Sequence, residues 1–172
     1  DQLQTIVFDL APLAPVMLAE SRNAETVIEQ QLAESSIEAR KLHVVIDAGL
    51  SSAPAADEVK AALGALVNTT PATFYIAGDK PLEATSAREA LVVLNRIGFE
   101  GGRDNGPCLS EAWFNALAAP GSAVVWLHGA QHARLSPIEL PGADMGRVPV
   151  YTHRLVQGRN VLAEELEQRV HV

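Results

Sequence analysis

The sequence has little of several features that mark specialised classes of protein. Its 172 residues include one cysteine, Cys108, so no disulfide can form within the chain and a disulfide-stapled secreted scaffold is excluded. No run of about 18 apolar residues occurs, and no basic segment precedes an apolar core as in a signal peptide. We therefore expect no membrane-spanning segment in this chain. It begins at Asp1 rather than at a methionine, which leads us to expect a longer parent protein.

Basic residues and aromatic residues are also scarce. The chain has 13 Lys and Arg against 21 Asp and Glu, giving a net charge of −8. A broad nucleic-acid surface requires clustered positive charge, so nucleic acid is not an expected partner. The acidic balance promotes solubility and would also suit a basic partner or a metal cation. Aromatic residues make up 5% and lie in apolar patterns, which favours core packing over a stacking platform for bases.

Hydrophobic residues make up 48% of the chain, which is enough for a packed core in one domain with an additional arm. Residues 1–40 are predicted to form the N-terminal arm, with a strand at 5–10, a turn at 11–15 and an amphipathic helix at 24–40. This arm either completes the sheet as an edge strand or belongs to a neighbouring domain. Residues 41–172 are predicted to form the main domain.

Strand-like and helix-like segments alternate along the main domain. Strands are predicted at residues 42–46, 73–77, 122–127 and 148–152, and helices around 59–67, 87–97, 107–117 and 161–170. The first of these strands is almost entirely apolar, as expected when helices cover both faces of a sheet. The pattern predicts an α/β fold with a doubly wound, mostly parallel, Rossmann-like sheet and helices on both faces.

Polar residues follow two of the predicted strands. Asp47, Gly49 and Ser51 come directly after the strand at 42–46, and His128 ends the strand at 122–127. Ligands bind beyond the carboxyl ends of the strands in an open parallel sheet, so this position favours a site. Taken alone, Asp47 could equally cap the helix that follows it.

A third loop, residues 101–105 (Gly-Gly-Arg-Asp-Asn), precedes the helix at 107–117. The chain thus has three loops in sequence: residues 47–51 (Asp-Ala-Gly-Leu-Ser), residues 101–105 and His128-Gly129. Their order and spacing resemble those of the three loops that form the metal-ion-dependent adhesion site of the von Willebrand factor A (vWA) domain. The resemblance covers about residues 41–170. It implies a vWA-like domain that binds a protein partner. It also implies a site of hard oxygen ligands for Mg²⁺ or a similar cation, open to a carboxylate of that partner.

The sequence departs from the vWA pattern at three positions of this site. Gly49 replaces a hydroxyl, Arg103 stands where the family has threonine, and His128 replaces an acid. A guanidinium repels a divalent cation but could pair with an acidic neighbour, so Arg103 is predicted to act as an internal cation. We therefore expect no cofactor and a degenerate metal site. The alternative is a weak or altered divalent-cation site, with Asp47, Ser51, Asp104 and His128 as its ligands and a softer metal favoured by the histidine.

The resemblance implies an interaction face formed by six residues: Asp47, Ser51, Arg103, Asp104, Asn105 and His128. Asn105 could supply an oxygen there or simply tolerate a strained turn. The Gly-Gly-Arg-Asp-Asn stretch and the Trp-Leu-His-Gly strand end are similar to those of bacterial membrane proteins of the VIT/vWA type. This resemblance implies a larger, membrane-attached parent in which this non-enzymatic module recognises another protein.

The alternative function is a metal-dependent or cysteine hydrolase. Cys108 lies near a predicted helix N-terminus, where the helix dipole would lower its thiol pKa, and His128 could act as its base. An unpaired cysteine is more often a small buried apolar residue. His128 and His132 have the spacing of a metal pair but lack an evident third ligand. No phosphate-binding or serine-hydrolase motif occurs, so we expect no enzyme.

Overall fold

A computed structural model of the chain describes residues 4–7, 14–22, 25–30, 36–67, 71–101, 104–129 and 148–155. Strands occur at β1 (Gln4–Val7), β2 (Ala14–Arg22), β3 (Glu25–Gln30), β4 (Ser36–Ala39), β5 (Lys41–Asp47), β6 (Ala72–Ala77), β7 (Pro81–Ala84), β8 (Ser122–His128) and β9 (Val150–Arg154). Helices occur at α1 (Ala56–Leu66), α2 (Ala87–Ile97) and α3 (Gly106–Leu117), and a 3-10 helix, Leu50–Ala55, joins β5 to α1.

The central strands are built from apolar and β-branched residues that suit a sheet covered on both faces. All of β6 and β8 is buried, as is β5 beyond its first residue. Val44 and Ile46 pack on one face, and Val45 packs on the other. Because successive side chains of a strand alternate between faces, a continuous apolar run is required here.

These central strands belong to a seven-stranded sheet, in which the strand order is β3-β2-β9-β8-β5-β6-β7. The four strands β9, β8, β5 and β6 are parallel to one another, whereas β7, β2 and β3 each pair antiparallel. The chain leaves β5 toward β6 and later returns to the other side of β5 as β8. The carboxyl ends of β5 and β8 therefore lie at the point where the strand order reverses, the usual ligand position in such sheets.

Helices cover both faces of the sheet, so the predicted α/β, mostly parallel architecture is confirmed. Helices α1 and α2 pack on the face of Val44 and Ile46, through residues such as Leu63 and Leu94. Helix α3 packs on the opposite face against Val45 and Tyr75. Each helix carries a stripe of buried residues at helical spacing, and this spacing is the sequence pattern that predicted the helix.

The prediction of a helix over residues 24–40 is wrong. Residues 25–30 form β3 and residues 36–39 form β4. Strand β3 pairs with β2, and β2 pairs with β9, so this part of the predicted arm extends the sheet. Thr26, Val27 and Ile28 are β-branched residues that favour strands. The pairing of β3 with β2 and of β4 with β1 overrides a weak helical periodicity.

Two further predictions differ from the structure or fall outside its description. Strand β2 begins at Ala14 and includes Pro15, so the predicted turn at 11–15 is wrong for its last two residues. Pro15 lies close to the start of its strand, a position that proline tolerates. The helix predicted at 161–170 lies outside the described residues. None of the helices in the described ranges is both long and apolar enough to span a bilayer.

Candidate functional site

Asp47 joins the loops that follow β5 and β8. It is the last residue of β5 and only 1% exposed. Its Oδ1 accepts a hydrogen bond from the Gly49 N–H at 3.0 Å, and its Oδ2 accepts one from the Gly129 N–H at 2.9 Å. The carboxylate therefore joins the loop after β5 to Gly129, which lies 82 residues from Asp47 in the sequence.

Asn105 connects this carboxylate to the third loop. The residue is fully buried immediately before α3, and its Oδ1 accepts a hydrogen bond from Trp126 Nε1–H at 3.2 Å. Its side chain also favours the charged form of the Asp47 carboxyl. Its backbone angles, φ −75° and ψ −10°, are those of an ordinary helix, so tolerance of a strained turn does not account for it. Asn105 links β5, β8 and the start of α3.

Burial and hydrogen bonding act in opposite directions on the ionisation of Asp47. Burial is the larger effect and raises the carboxyl pKa above its ordinary value. The hydrogen bonds from Gly49 and Gly129, together with Ser52 and Asn105, favour the charged form. The Ser52 hydroxyl is buried in the same part of the site as Asp47, but no hydrogen bond of good geometry joins the two side chains. The backbone N–H donors are thus the firm partners of this carboxylate.

Gly129 is the residue around which the first and last loops close. A Cβ atom added there would lie 2.9 Å from Asp47 Oδ2 and 3.0 Å from Ser51 Oγ, and it would overlap Ser52 Oγ. A side chain at this position would displace polar groups on two sides. The close approach of Asp47 to the Gly129 N–H therefore requires glycine.

The glycine-rich loop is fastened to the loop after β5 by its backbone. The Gly101 carbonyl accepts a hydrogen bond from the Leu50 N–H at 3.0 Å. Gly101 has φ +77°, and a Cβ there would overlap the Asp79 carboxylate, so glycine is needed for both conformation and space. Gly102 and Arg103 lie outside the described residues, so the predicted role of Arg103 stays a prediction.

His128 and Asp104 each contact other residues of the chain. The His128 ring is buried and tilted against Trp126, with ring centroids 4.7 Å apart. Its Nδ1 lies 3.5 Å from the carbonyl oxygen of Gly129. Asp104 is exposed, and its Oδ1 accepts a hydrogen bond from the Gly106 N–H at 2.8 Å, at the start of α3. Of the four predicted metal ligands, Asp47 and Ser51 have side-chain oxygens close to Gly129, at 2.9 and 3.0 Å from a Cβ added there.

Side-chain oxygens that could contact a hard divalent cation at this edge belong to Asp47, Ser51 and Asp104. Mg²⁺ requires about six oxygen ligands in near-octahedral arrangement, with carboxylates supplying the charge. Here each oxygen of Asp47 already accepts a backbone N–H, and Gly49 offers no side-chain oxygen. Over the part of the chain that the structure describes, no group of three or more His, Cys, Asp or Glu side chains is arranged to hold a metal.

Cys108 lies in the first turn of α3, and it is only 2% exposed. Burial, with a smaller contribution from the negative charge of Glu111, raises the pKa of its thiol to about 12. The prediction that the helix N-terminus lowers this pKa is therefore wrong, because loss of hydration outweighs the helix dipole. The alternative interpretation, a small buried apolar residue, fits the observed position.

Leu50 also lies at this edge, although it is not among the residues that the sequence predicted for the site. Its side chain is 65% exposed, although its backbone is held by Gly101. Asp47, Asn105 and His128 are buried and support the loops from beneath. A large apolar residue between Gly49 and Ser51, in a loop of small and polar residues, was the sequence feature that could have revealed this exposed group.

Comparison with known proteins gives limited similarity. No family model matches the sequence, and no curated protein matches it. Among solved structures, the chain is similar to a von Willebrand factor type A protein from Catenulispora acidiphila, with 13% sequence identity and a TM-score of 0.37. The match covers 98% of this chain and 49% of the other, so the chain spans about half the length of that structure. The α/β fold is established by the strand order and the helix packing of this chain.

Proposed function

We propose that this chain is a non-enzymatic protein-interaction module of vWA type, which binds its partner through the loops at the carboxyl edge of the sheet without a divalent cation. The observation that carries the proposal is the bonding of Asp47. Both of its oxygens accept backbone N–H groups, one from the loop after β5 and one from the loop after β8. In this proposal the carboxylate organises the loops directly, where the vWA pattern implies a metal.

Three connections support a preorganised surface. Asp47 ties the first loop to the last, the Leu50 N–H ties the first loop to Gly101, and Asn105 ties the start of α3 to Trp126. A surface whose loops are fixed before binding loses less conformational entropy when a partner docks. This favours recognition of another protein by a stable face.

Leu50 is the residue that we propose as the apolar contact of this face. It is 65% exposed on a loop that is held at its own backbone N–H. Glu100 and Asp104 are exposed on the neighbouring glycine-rich segment. An apolar anchor beside acidic residues suits a partner that presents an apolar pocket with basic groups around it. Arg103 remains part of the proposal as the internal cation, on the sequence alone.

The larger setting of the module is also a proposal. From the sequence resemblance alone, we propose that the chain is part of a longer, membrane-attached bacterial protein. The buried thiol of Cys108 and its raised pKa argue against the cysteine-hydrolase form of the alternative function.

Affinity capture with matched surface variants tests the proposed face. Leu50→Asp places a charge on the edge, whereas Val92→Asp places one on α2, where the side chain is similarly exposed at 62%. We expect Leu50→Asp to abolish capture of a partner that the wild-type chain and Val92→Asp both retain. Capture should be equal in excess EDTA and in excess MgCl₂.

Two outcomes would contradict the proposal. Equal loss in both variants would show a general effect of added charge rather than a specific face. Capture that requires Mg²⁺ would show that the site works as a metal-dependent adhesion site. The melting temperatures of both variants should match that of the wild type, since both side chains are exposed.

A further inference from the structure

The sequence contains one Asn-Gly pair, Asn105-Gly106, which lies at the start of α3. In such a pair the backbone nitrogen of the glycine can attack Cγ of the asparagine, because glycine has no side chain to hinder the approach. The new N–Cγ bond closes a succinimide ring, and the side-chain amide leaves with the glycine N–H proton as ammonia. Water then opens the ring to aspartate or isoaspartate. Asn105 is therefore the asparagine of this chain whose sequence context most favours deamidation.

The backbone conformation at Asn105 opposes this ring closure. The residue has φ −75° and ψ −10°, and the ring requires rotation about its Cα–C bond, well away from these helical angles. That rotation would break two hydrogen bonds in the first turn of α3. One runs from the Gly106 N–H to Asp104 Oδ1 at 2.8 Å, and the other from the Leu109 N–H to the Asn105 carbonyl at 3.0 Å.

The side chain of Asn105 is fixed as well. It is 0% exposed, and its Oδ1 accepts a hydrogen bond from Trp126 Nε1–H in β8 at 3.2 Å. The water that completes the reaction has no access to a side chain buried in this way. Both the rotation and the entry of water require the start of α3 to separate from β8, which is a local opening of the carboxyl edge.

We propose that Asn105-Gly106 is a deamidation site that is blocked in the folded protein, reacts when the carboxyl edge opens, and yields a product that destabilises this edge. The reaction is intramolecular until water opens the ring, so it requires no enzyme. It also requires no binding partner, and the inference is therefore independent of the proposed function.

The product would lack a group on which the edge depends. The Asn105 side chain favours the charged form of the Asp47 carboxyl. Aspartate at position 105 would instead place a second carboxylate in the same buried region, where two like charges are costly. Isoaspartate would in addition insert one carbon into the main chain where α3 begins. A chain that reacts while open therefore closes less readily afterwards, and the change is irreversible.

Peptide mapping by mass spectrometry measures this conversion, because replacement of NH₂ by OH changes the mass of the peptide that contains position 105. The full chain is incubated in mildly alkaline buffer with and without denaturing guanidinium chloride. We expect conversion in denaturant and at least about tenfold slower conversion in buffer, because only the open fraction reacts. In denaturant, where folding has no influence, Gly106→Ala should slow conversion by at least about tenfold, because its methyl group hinders the attack.

Two variants separate opening of the edge from unfolding of the whole chain. Gly129→Ala crowds the first and last loops, so it should speed conversion in buffer by about fivefold or more, the factor that corresponds to about 1 kcal/mol. Ser86→Ala removes the cap of α2, away from this edge, and should react at the wild-type rate. Circular dichroism of each variant in the same buffer shows that the comparison concerns folded protein.

Asn105→Asp reproduces one product of the reaction directly. It should lower the melting temperature by more than Asn95→Asp, which makes the same change at an exposed position of α2. Four results would each overturn the proposal: no conversion at position 105 in denaturant, equal rates in buffer and denaturant, equal acceleration by Gly129→Ala and Ser86→Ala, or equal melting temperatures of the two aspartate variants.

Discussion

The backbone N–H groups of Gly49 and Gly129 stabilise the charged form of Asp47 inside the protein. Burial alone would favour the protonated acid, and it is the larger influence on the pKa. The two N–H donors and Asn105 reduce this cost and fix the orientation of the carboxylate. An asparagine at position 47 would keep the shape but would point an N–H₂ group at one of these donors.

Gly129→Ala is predicted to lower the free energy of unfolding by about 1–3 kcal/mol, because the added methyl group would press on Asp47, Ser51 and Ser52. The φ angle of Gly129 is not in the left-handed region, so the effect is one of space. Urea denaturation followed by circular dichroism measures the change.

Gly64→Ala is the matched control for this glycine. Gly64 lies within α1, and a Cβ there would meet no atom within 4 Å. Alanine is the better helix former, so we expect the control to gain about 0.5–1 kcal/mol. A stabilised Gly129→Ala variant would contradict the close packing described around this residue.

His43 gives the protein a stability that depends on pH. It is buried in β5, and its Nδ1 lies 2.9 Å from the Tyr75 hydroxyl. Burial, and secondarily the charge of Lys41, lowers its pKa from 6.5 to about 4. The unfolded chain therefore binds a proton on this residue at a higher pH than the folded chain does. The contribution of neutral His43 to the free energy of unfolding is fully present above pH 6.5. It amounts to about 2–3 kcal/mol and is lost as the pH falls toward 4.

The prediction is tested by unfolding wild type and His43→Gln between pH 7 and pH 4, a window set by the two pKa values. The difference in unfolding free energy between the two proteins should shrink as the pH falls. Comparison with the variant isolates the histidine from Asp47, whose raised pKa acts in the opposite direction. A constant difference would show that His43 titrates alike in both states.

Among the elements, those with a strong local pattern could be predicted from the sequence. The apolar runs of β5, β6 and β8 and the helical stripes of α1, α2 and α3 were all recognisable. Strands β3, β4 and β7 were not, because their stability comes from pairing rather than from their own periodicity. β7, for example, pairs antiparallel with β6 across a turn at residues 78–80, and its four residues carry no distinctive pattern of their own.

Helix α2 begins with a reciprocal cap that determines where it starts. Ser86 Oγ accepts the Glu89 N–H at 3.1 Å, and the Glu89 carboxylate accepts the Thr85 N–H at 2.8 Å. Ser86→Ala is predicted to lower the unfolding free energy by about 1 kcal/mol. Asn95→Ala, at an exposed position within the same helix, should instead be neutral or slightly stabilising. Thermal denaturation of both variants compares them, and an equal effect would contradict the capping role.

At the scale of the whole molecule, the sequence could predict which loops meet but not how their side chains are used. Strand order follows from alternation of strands and helices, and this brings Asp47, Gly101 and Gly129 to one edge. The bonding of Asp47 to two glycine N–H groups, and the tilt of His128 against Trp126, depend on three-dimensional packing. No linear motif encodes them.

Calorimetric titration of the chain with Mg²⁺, Mn²⁺, Ca²⁺ and Zn²⁺ tests most directly whether Asp47 organises this edge in place of a metal. We expect no saturable binding of any of the four ions and no change in melting temperature at high ion concentration, because a ligand that bound the folded state would raise it. One-to-one binding that is lost in both Ser51→Ala and Asp47→Asn would contradict the account.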